Sequence, residues 1–247
     1  MKFLKTLGLV LLTLFISLRA PQWHKDYLRL AVGSSVVKIV RTDATGQPQG
    51  GGTGSQIEYN HQKYIITNAH VCDMYKGEDI ATIIEPNGKV VQRKILAISG
   101  DTDLCVIAPI AELPSLRLGS SPRVGQTIEV VGHPLLMPLN VSYGDILGEK
   151  PQAVMVGIIG VNVSVEECKL PKNKVVSQDM GIFGMMDICL EVVDAYQTTA
   201  VIEPGNSGSP VVDWKGRVIG VAFAGDSTVY WGLVIPLDDV KNFLNSL

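Results

Sequence analysis

The sequence predicts an all-β fold, a sandwich or a barrel, followed by one short C-terminal helix. Short runs rich in Val and Ile recur from about residue 30 onward, among them SSVVKIV, KYIITNAHV, TIEVVG and RVIGVAF. Turn dipeptides such as NG, GS, KG and GD separate these runs, and no long helical pattern lies between them. Short strands at this spacing are typical of antiparallel sandwiches and barrels. Only the last segment, IPLDDVKNFLNSL, has apolar residues at helical spacing.

The composition is that of a globular protein with a sizeable core. The chain has 247 residues, of which 46% are hydrophobic and 18% charged, and its formal net charge is −3. It contains no block of Lys and Arg, so we expect no nucleic-acid partner. Its cysteines and histidines lack the spacing of a zinc site, so we expect no metal site.

Residues 1–20 predict a signal peptide or an N-terminal anchor. Two lysines precede an apolar run from Leu7 to Leu18, which is short for a membrane span and suits a signal-peptide core. Ala20 suits the end of a leader, but Leu18 is large for its position before the cut, and a buried helix is a third alternative. Both leading interpretations export the rest of the chain to a periplasm or the extracellular space. An uncleaved segment would tether it to the membrane through residues 3–18.

Three polar residues stand in settings that suit nucleophilic catalysis by a serine. A serine hydroxyl needs an imidazole to take its proton, a carboxylate to orient that imidazole, and backbone N–H groups for the oxyanion. Ser207 lies in GNSGSP, His70 follows the strand pattern of IITNAHVC, and Asp103 directly precedes the strand pattern LCVIAPI. Asp101 is an alternative carboxylate, because alternation along a strand points it to the same side as Asp103. A plain polar turn is the alternative for Ser207.

The order His, Asp, Ser in these settings resembles the chymotrypsin-like serine proteases and, within them, the HtrA/Deg-type branch. GGGTGSQI, VGQTIEVVGHP and GRVIGVAFAGD match further parts of that pattern, so the resemblance covers most of the chain after the leader. It implies a protease domain over residues 21–247 made of two antiparallel six-stranded-type β-barrels, about residues 30–118 and 124–236, and a helix at about residues 237–246. The PDZ domain usual in this branch is not recognised here, which implies no regulation through such a domain.

The resemblance also implies a serine endopeptidase that works through an acyl-enzyme without a cofactor. Ser207 attacks the scissile carbonyl, His70 acts as base and then acid, and Asp103 orients the imidazole. The N–H groups of Gly205 and Ser207 form the oxyanion hole. Polypeptides are the expected partners, and the oligomeric state is left open. The alternatives are a catalytically silent binding or chaperone-like module and a membrane-anchored structural protein.

The family's register places a specificity pocket beside the nucleophile. Its residues are Val201 at the floor and, on the walls, Phe223, Ala224, Gly225 and Gly232. A floor without a carboxylate disfavours Arg and Lys, since the buried charge would stay unpaired. Glutamyl endopeptidases, which also read GNSGSP, have a histidine where this chain has Ala222, so acidic specificity is disfavoured too. The pattern predicts cleavage after small to medium apolar residues.

The four cysteines suit an oxidising compartment. Cys72 and Cys105 each lie two residues after a residue of the triad, so we expect them within bonding reach in the first barrel. Cys168 and Cys189 are a candidate second pair across the segment 145–196, which is longer than the family pattern and is interpreted as a hairpin or loop. Four free thiols are the alternative.

Three further residues are interpreted against the same pattern. His133, in GHP, is expected to be structural, and His61 is expected to be a solvated hairpin residue. Asn206 stands where digestive-type relatives have an aspartate that pairs with a new N-terminal amine. Because Asn206 carries no charge, we expect no activating cleavage beyond removal of the leader.

Overall fold

The computed structural model has two antiparallel β-barrels followed by a helix, which confirms the predicted fold class. The structure describes residues 23–75, 77–99, 101–159, 164, 168, 173–179, 184–226 and 231–247. The predicted leader or anchor, residues 1–20, lies outside these ranges. No helix among the described residues is long and apolar enough to cross a bilayer.

A helix, α1, described over residues 23–31, precedes the first barrel. Six strands form that barrel: β1 (Val36–Thr42), β2 (Pro48–Tyr59), β3 (Gln62–Thr67), β4 (Ile80–Ile84), β5 (Val90–Ser99) and β6 (Leu104–Ile107). They close in the order β1-β2-β3-β6-β5-β4, since β1 pairs with both β2 and β4. A short helix, α2 (Ala69–Cys72), follows β3.

The tight β2–β3 hairpin turns at Asn60 and His61. Both have a left-handed φ, of 50° and 63°, and the flanking residues Tyr59 and Gln62 pair directly. Two consecutive left-handed residues match the right-handed twist of the strands they join. The interpretation of His61 as an exposed hairpin residue is in agreement with this turn.

Seven strands form the second sheet: β7 (Thr127–Gly132), β8 (Asn140–Ile158), β9 (Asn173–Asp179), β10 (Met185–Thr198), β11 (Pro210–Val212), β12 (Val218–Asp226) and β13 (Trp231–Pro236). Their order is β13-β12-β11-β7-β8-β10-β9, and β10 also pairs with β13, which closes six of them into a barrel. β9 pairs with β10 over Met185–Glu191 and lies outside the closed ring. The segment 145–196 therefore contains strands, as the hairpin interpretation expected.

Alternation along the strands sends neighbouring side chains into different cores. In β6, Cys105 and Ile107 belong to the core of the first barrel, whereas Leu104 and Val106 belong to a larger cluster shared with the second barrel. That shared cluster also contains Phe223 and residues of the C-terminal helix. Both faces of β6 are thus buried, which explains its continuous apolar sequence.

The C-terminal helix, α3 (Leu237–Asn245), forms where the sequence pattern predicted it, and its buried residues belong to the shared cluster. Leu237, Val240 and Leu244 are buried on one face. Asp238 and Asp239 occupy the first turn, where negative charge interacts favourably with the helix dipole.

Both predicted disulfides are present, so the alternative of four free thiols is wrong. Cys72 in α2 is bonded to Cys105 in β6, with a Cα–Cα distance of 6.4 Å. Cys168 is bonded to Cys189 in β10, with a Cα–Cα distance of 5.8 Å. The Cys72–Cys105 bond joins α2, which contains His70, to β6, which begins directly after Asp103.

Candidate active site

His70 and Asp103 are joined by two hydrogen bonds at one edge of the first barrel. His70 Nδ1–H donates to Asp103 Oδ2 at 2.8 Å, and the His70 backbone N–H donates to Asp103 Oδ1 at 2.9 Å. The His70 side chain is 49% exposed, whereas that of Asp103 is 12% exposed. With Nδ1 occupied by the carboxylate, Nε2 is the ring nitrogen left to exchange a proton with a substrate or a nucleophile.

The start of α2 holds the backbone of Asp103 as well. Its carbonyl accepts hydrogen bonds from Asn68 Nδ2 at 2.9 Å and from the Ala69 N–H at 3.0 Å. Asp103 has a left-handed φ of 49°, which is uncommon for a residue other than glycine. Residues 101–103 form a turn rather than a strand, so strand alternation does not relate Asp101 to Asp103. Asp103 is the carboxylate that the structure places against His70.

Ser207 sits in a tight turn before β11, between two glycines with left-handed φ. Gly205 has φ 91° and Gly208 has φ 84°. A Cβ at Gly208 would lie 2.1 Å from Thr53 O, so only glycine fits this position. The Asn206 N–H donates to Glu203 O and the Ser209 N–H donates to Asn206 O, each at 2.9 Å, which closes the turn.

The serine turn lies against the first barrel close to α2. The Thr53 N–H donates to Ser207 O at 2.8 Å. A Cβ at Gly52 would lie 2.8 Å from Ser207 O and 2.6 Å from Val71 Cγ2. Gly52 therefore separates the serine turn from the residue that follows His70, and a larger residue would push the two apart.

Two backbone N–H groups of the serine turn are free to bind a ligand. Among the described residues, the N–H groups of Gly205 and Ser207 donate no hydrogen bond, while that of Gly208 donates to Ala222 O at 2.8 Å. A pair of free donors beside a serine hydroxyl is the arrangement that stabilises an oxyanion. These are the two donors that the sequence pattern placed in the oxyanion hole.

The Ser207 hydroxyl lies next to β12. Its Oγ donates to Phe223 O at 3.4 Å. Phe223 and Asp103 line the same cavity of about 160 Å³, which lies where the two barrels meet. The other residues around this cavity are Asp101, Thr102, Asp194, Ala195, Ile235 and Asp239. Asp103 thus borders the same cavity as Phe223, whose carbonyl accepts the Ser207 hydroxyl.

Gly225 and Gly232 of the predicted pocket pair directly across β12 and β13, and an additional side chain lies between them. A Cβ at Gly225 would lie 2.8 Å from Ile202 Cβ, and a Cβ at Gly232 would lie 2.6 Å from Ile202 Cδ1. Ile202 is 2% exposed and fills the space between the two glycines. Ile202 is not among the residues that the sequence pattern predicted for the pocket, although it directly follows Val201, the predicted floor. In an extended segment, neighbouring side chains point to opposite sides, so this adjacency was the available signal.

His133 is buried beside the serine turn. Its Nδ1–H donates to Met137 O at 3.0 Å, and His133 as a whole is only 7% exposed. Burial lowers the pKa of His133 from 6.5 to about 4, so the ring is neutral at pH 7. A buried neutral imidazole with a backbone partner fits the structural role expected for it.

No group of three or more His, Cys, Asp or Glu side chains in the described part of the chain is arranged to hold a metal ion. The site is built from a hydroxyl, an imidazole, a carboxylate and backbone N–H groups. That set can carry out acyl transfer by proton exchange alone.

Solved structures share this fold. The active form of the Rv3671c protease from M. tuberculosis superposes with a TM-score of 0.64 at 22% identity, over 87% of this chain and 81% of that one. A serine endoprotease from Yersinia pestis gives a TM-score of 0.63 at 18% identity, over 90% of this chain and 65% of that one. At these identities the likeness shows the fold alone.

Sequence relatives point to the same class of protein. The chain is 30% identical over 206 residues to HhoB of Synechocystis sp., covering 81% of this chain and 41% of the relative. It is 29% identical over 208 residues to the serine protease Do-like HtrA of Lactobacillus helveticus, covering 78% of this chain and 42% of the relative. The chain thus spans about two-fifths of the length of these curated relatives. The family described as "Trypsin-like peptidase domain" matches residues 52–221, so the chain belongs to the trypsin-like peptidases and is similar to their HtrA- and Do-like members.

Proposed function

We propose that this protein is a serine endopeptidase with His70, Asp103 and Ser207 as its catalytic triad. The observation that carries the proposal is the pair of hydrogen bonds from His70 to Asp103, which engages Nδ1 and leaves Nε2 as the ring nitrogen that can take a proton. A carboxylate on Nδ1 selects the tautomer in which Nε2 accepts a proton. The residues that would catalyse the reaction extend over 137 positions of the protease domain, which we assign to residues 21–247.

The proposed reaction proceeds through an acyl-enzyme. Ser207 Oγ attacks the scissile carbonyl carbon while its proton passes to His70 Nε2, and Asp103 stabilises the imidazolium that forms. The N–H groups of Gly205 and Ser207 bind the developing oxyanion. His70 then gives the proton to the leaving amine. In the second half, His70 takes a proton from a water that attacks the acyl carbon, and it returns this proton to Ser207 Oγ as the acyl group leaves as a carboxylic acid. Every step exchanges one proton with His70, so no cofactor enters the reaction.

The proposed substrates are polypeptides with a small apolar residue before the cut. Val201 at the floor and Phe223, Ala224, Gly225 and Gly232 on the walls offer no charge to pair with Arg, Lys or Glu. Ile202 Cδ1 occupies part of the space between Gly225 and Gly232, which favours Ala and Val over larger residues. We therefore expect cleavage mainly after small apolar residues, a narrower preference than the small to medium residues that the sequence predicted.

We place this activity outside the cytoplasm. The support is the apolar run from Leu7 to Leu18 behind two lysines, which suits a signal peptide or an anchor. The two disulfides support an oxidising compartment independently, because such bonds persist there and are rare in a reducing cytosol.

A catalytically silent module with the same fold is the rival proposal. One observation favours it, since the hydrogen bond of Ser207 Oγ goes to Phe223 O. At 3.4 Å this bond is long, and rotation about one side-chain torsion changes its partner. A fluorophosphonate probe separates the two proposals, because only an activated serine reacts with it.

The test compares the full chain with its Ser207→Ala variant. We expect the wild type to react with the fluorophosphonate at Ser207 and to cleave casein. The variant should do neither, with an unchanged circular dichroism spectrum. A wild type that is folded but unreactive would favour the silent module, and a variant that still cleaves casein would refute the triad.

A further inference from the structure

Thr53, in β2 of the first barrel, holds the serine turn of the second barrel through both its backbone and its hydroxyl. Its N–H donates to Ser207 O at 2.8 Å, and its Oγ1 donates to Gly205 O at 2.8 Å. The same Oγ1 accepts the His133 N–H at 3.1 Å, and its carbonyl accepts Thr67 Oγ1–H at 2.7 Å. Thr53 is fully buried, so no water competes for these bonds.

The turn after His133 holds the other side of the same segment. The Leu135 N–H donates to Pro204 O at 2.6 Å. A peptide group is planar and trans, so its carbonyl and its N–H point in opposite directions. With Pro204 O directed at Leu135, the N–H of Gly205 in the same peptide points to the opposite side, away from Leu135. The orientation of this donor therefore depends on the turn at residues 133–136.

That turn is strained, and Gly205 packs closely against it. Leu135 and Leu136 have left-handed φ values of 51° and 58°, which are rare for residues other than glycine. A Cβ at Gly205 would lie 2.6 Å from His133 O and 2.9 Å from Leu135 N. A strained turn keeps its conformation only where its surroundings hold it. The Thr53 hydroxyl accepts a hydrogen bond from the N–H of His133, the first residue of this turn, and donates one to Gly205 O.

From these contacts we propose that Thr53 is a positioning residue for the oxyanion hole. Its hydroxyl bonds to Gly205 O, in the peptide after Gly205, and to the His133 N–H, at the start of the turn whose Leu135 N–H holds Pro204 O. These contacts fix the peptides on both sides of Gly205 and with them the orientation of its N–H. The proposal rests on the serine endopeptidase function proposed above. It adds a residue of the first barrel, separated by 152 positions from Gly205, to the machinery of the second.

Loss of the hydroxyl should weaken transition-state binding more than substrate binding. Thr53→Val keeps the shape of the side chain but leaves Gly205 O and the His133 N–H unpaired in a buried site. The Pro204–Gly205 peptide is then held less firmly and can rotate. A donor that is displaced rather than removed should lower kcat by roughly tenfold to a hundredfold, below the loss for complete removal. KM should change by less than about twofold, since the donor acts on the oxyanion and not on the ground state.

The experiment measures kcat, KM and inhibition by a peptide boronate for the full chain and four variants. The boronate forms a tetrahedral adduct with Ser207 and so reports on the oxyanion hole. Thr53→Val and Thr53→Ala remove the hydroxyl, Thr53→Ser retains it, and Tyr75→Phe removes another buried hydroxyl, which donates to Val40 O in the first barrel. We expect Thr53→Val to lose boronate affinity in step with kcat/KM, and Thr53→Ser to restore both relative to Thr53→Ala.

Equal kcat values for Thr53→Ser and Thr53→Ala would overturn the proposal, and this pair decides it if Thr53→Val does not fold. A loss of kcat in Tyr75→Phe as large as in Thr53→Val would also overturn it, because the effect would then follow stability. If the wild type is inactive, the proposed function fails and this proposal with it. If the wild type is active and Ser207→Ala is inactive, a Thr53→Ala variant with unchanged kcat refutes only the role of Thr53, and the proposed function stands.

Discussion

Asp103 accepts two hydrogen bonds from His70, one from the ring Nδ1–H at 2.8 Å and one from the backbone N–H at 2.9 Å. Each carboxylate oxygen is engaged by a different part of the same residue. The ring is therefore fixed both in its tautomer and in its position relative to α2. This double contact is the basis of the first prediction.

Replacing Asp103 with Asn should remove most of the activity without unfolding the protein. An amide at this position can donate to Nδ1, which selects the wrong imidazole tautomer and leaves no acceptor at Nε2. We expect kcat to fall by roughly 10³- to 10⁴-fold, with KM little changed. Steady-state kinetics on a peptide anilide measures both constants. Asp101→Asn is the matched control and should keep kcat within about twofold of the wild type; a larger loss there than in Asp103→Asn would reassign the carboxylate.

The Cys72–Cys105 bond should matter for catalysis as well as for stability. It links α2 to β6 across 33 positions, two residues from His70 on one side and two from Asp103 on the other. Replacing both cysteines with Ala should lower the free energy of unfolding by about 2–4 kcal/mol and reduce kcat. Urea denaturation and steady-state kinetics report the two effects.

The second disulfide supplies a control for this experiment. Cys168 and Cys189 lie in the segment 145–196, and neither belongs to α2 or β6. Replacing both with Ala should lower stability while leaving kcat close to the wild-type value. Equal losses of kcat in the two double variants would show that the first bond has no special relation to the triad.

Shortening Ile202 should widen the range of residues accepted before the cut. Ile202→Val removes Cδ1, the atom that a Cβ at Gly232 would approach to 2.6 Å. One methylene in an apolar pocket is worth about 1–3 kcal/mol, so the ratio of kcat/KM for Leu over Ala should rise by roughly tenfold. Ile219→Val, in the same core cluster, is the control and should leave the ratio unchanged. A cleavage profile unaffected by Ile202→Val would place the pocket elsewhere.

The buried His133 should make the protein less stable in mild acid. Its pKa is about 4 in the folded protein and 6.5 in an exposed histidine, so the unfolded chain binds more protons between these values. The free energy of unfolding should therefore fall as the pH drops from 6.5 to 4, by at most about 1.4 kcal/mol per pH unit from this group. Below pH 4 and above pH 6.5 its contribution should stay constant.

His133→Asn isolates this contribution, since an Asn amide can still donate to Met137 O and does not titrate. Urea denaturation at pH 7, 5.5 and 4.5 should show that the wild type loses more stability on acidification than the variant. Parallel losses in the two proteins would mean that other groups account for the acid sensitivity.

The sequence alone determined the strands, the helix and the residues that stand in catalytic settings. Val- and Ile-rich runs between turn dipeptides predicted the strands of a sandwich or barrel, since strand alternation and turn chemistry are local properties. The resemblance to chymotrypsin-like proteases implied that they form two barrels. The settings of His70 and Ser207 were distinctive for the same reason. The proximity of Cys72 and Cys105 followed from expecting their neighbours in one triad, and the structure confirms that bond.

Only the tertiary structure decided which side chains meet across the chain. Asp103 has a left-handed φ within a turn, so strand alternation could not distinguish it from Asp101. Ile202 fills the space between Gly225 and Gly232 because three separate segments converge there. Thr53 reaches Gly205 across 152 positions. Such contacts depend on how two barrels pack against each other, and a local pattern of residues carries no information about that packing.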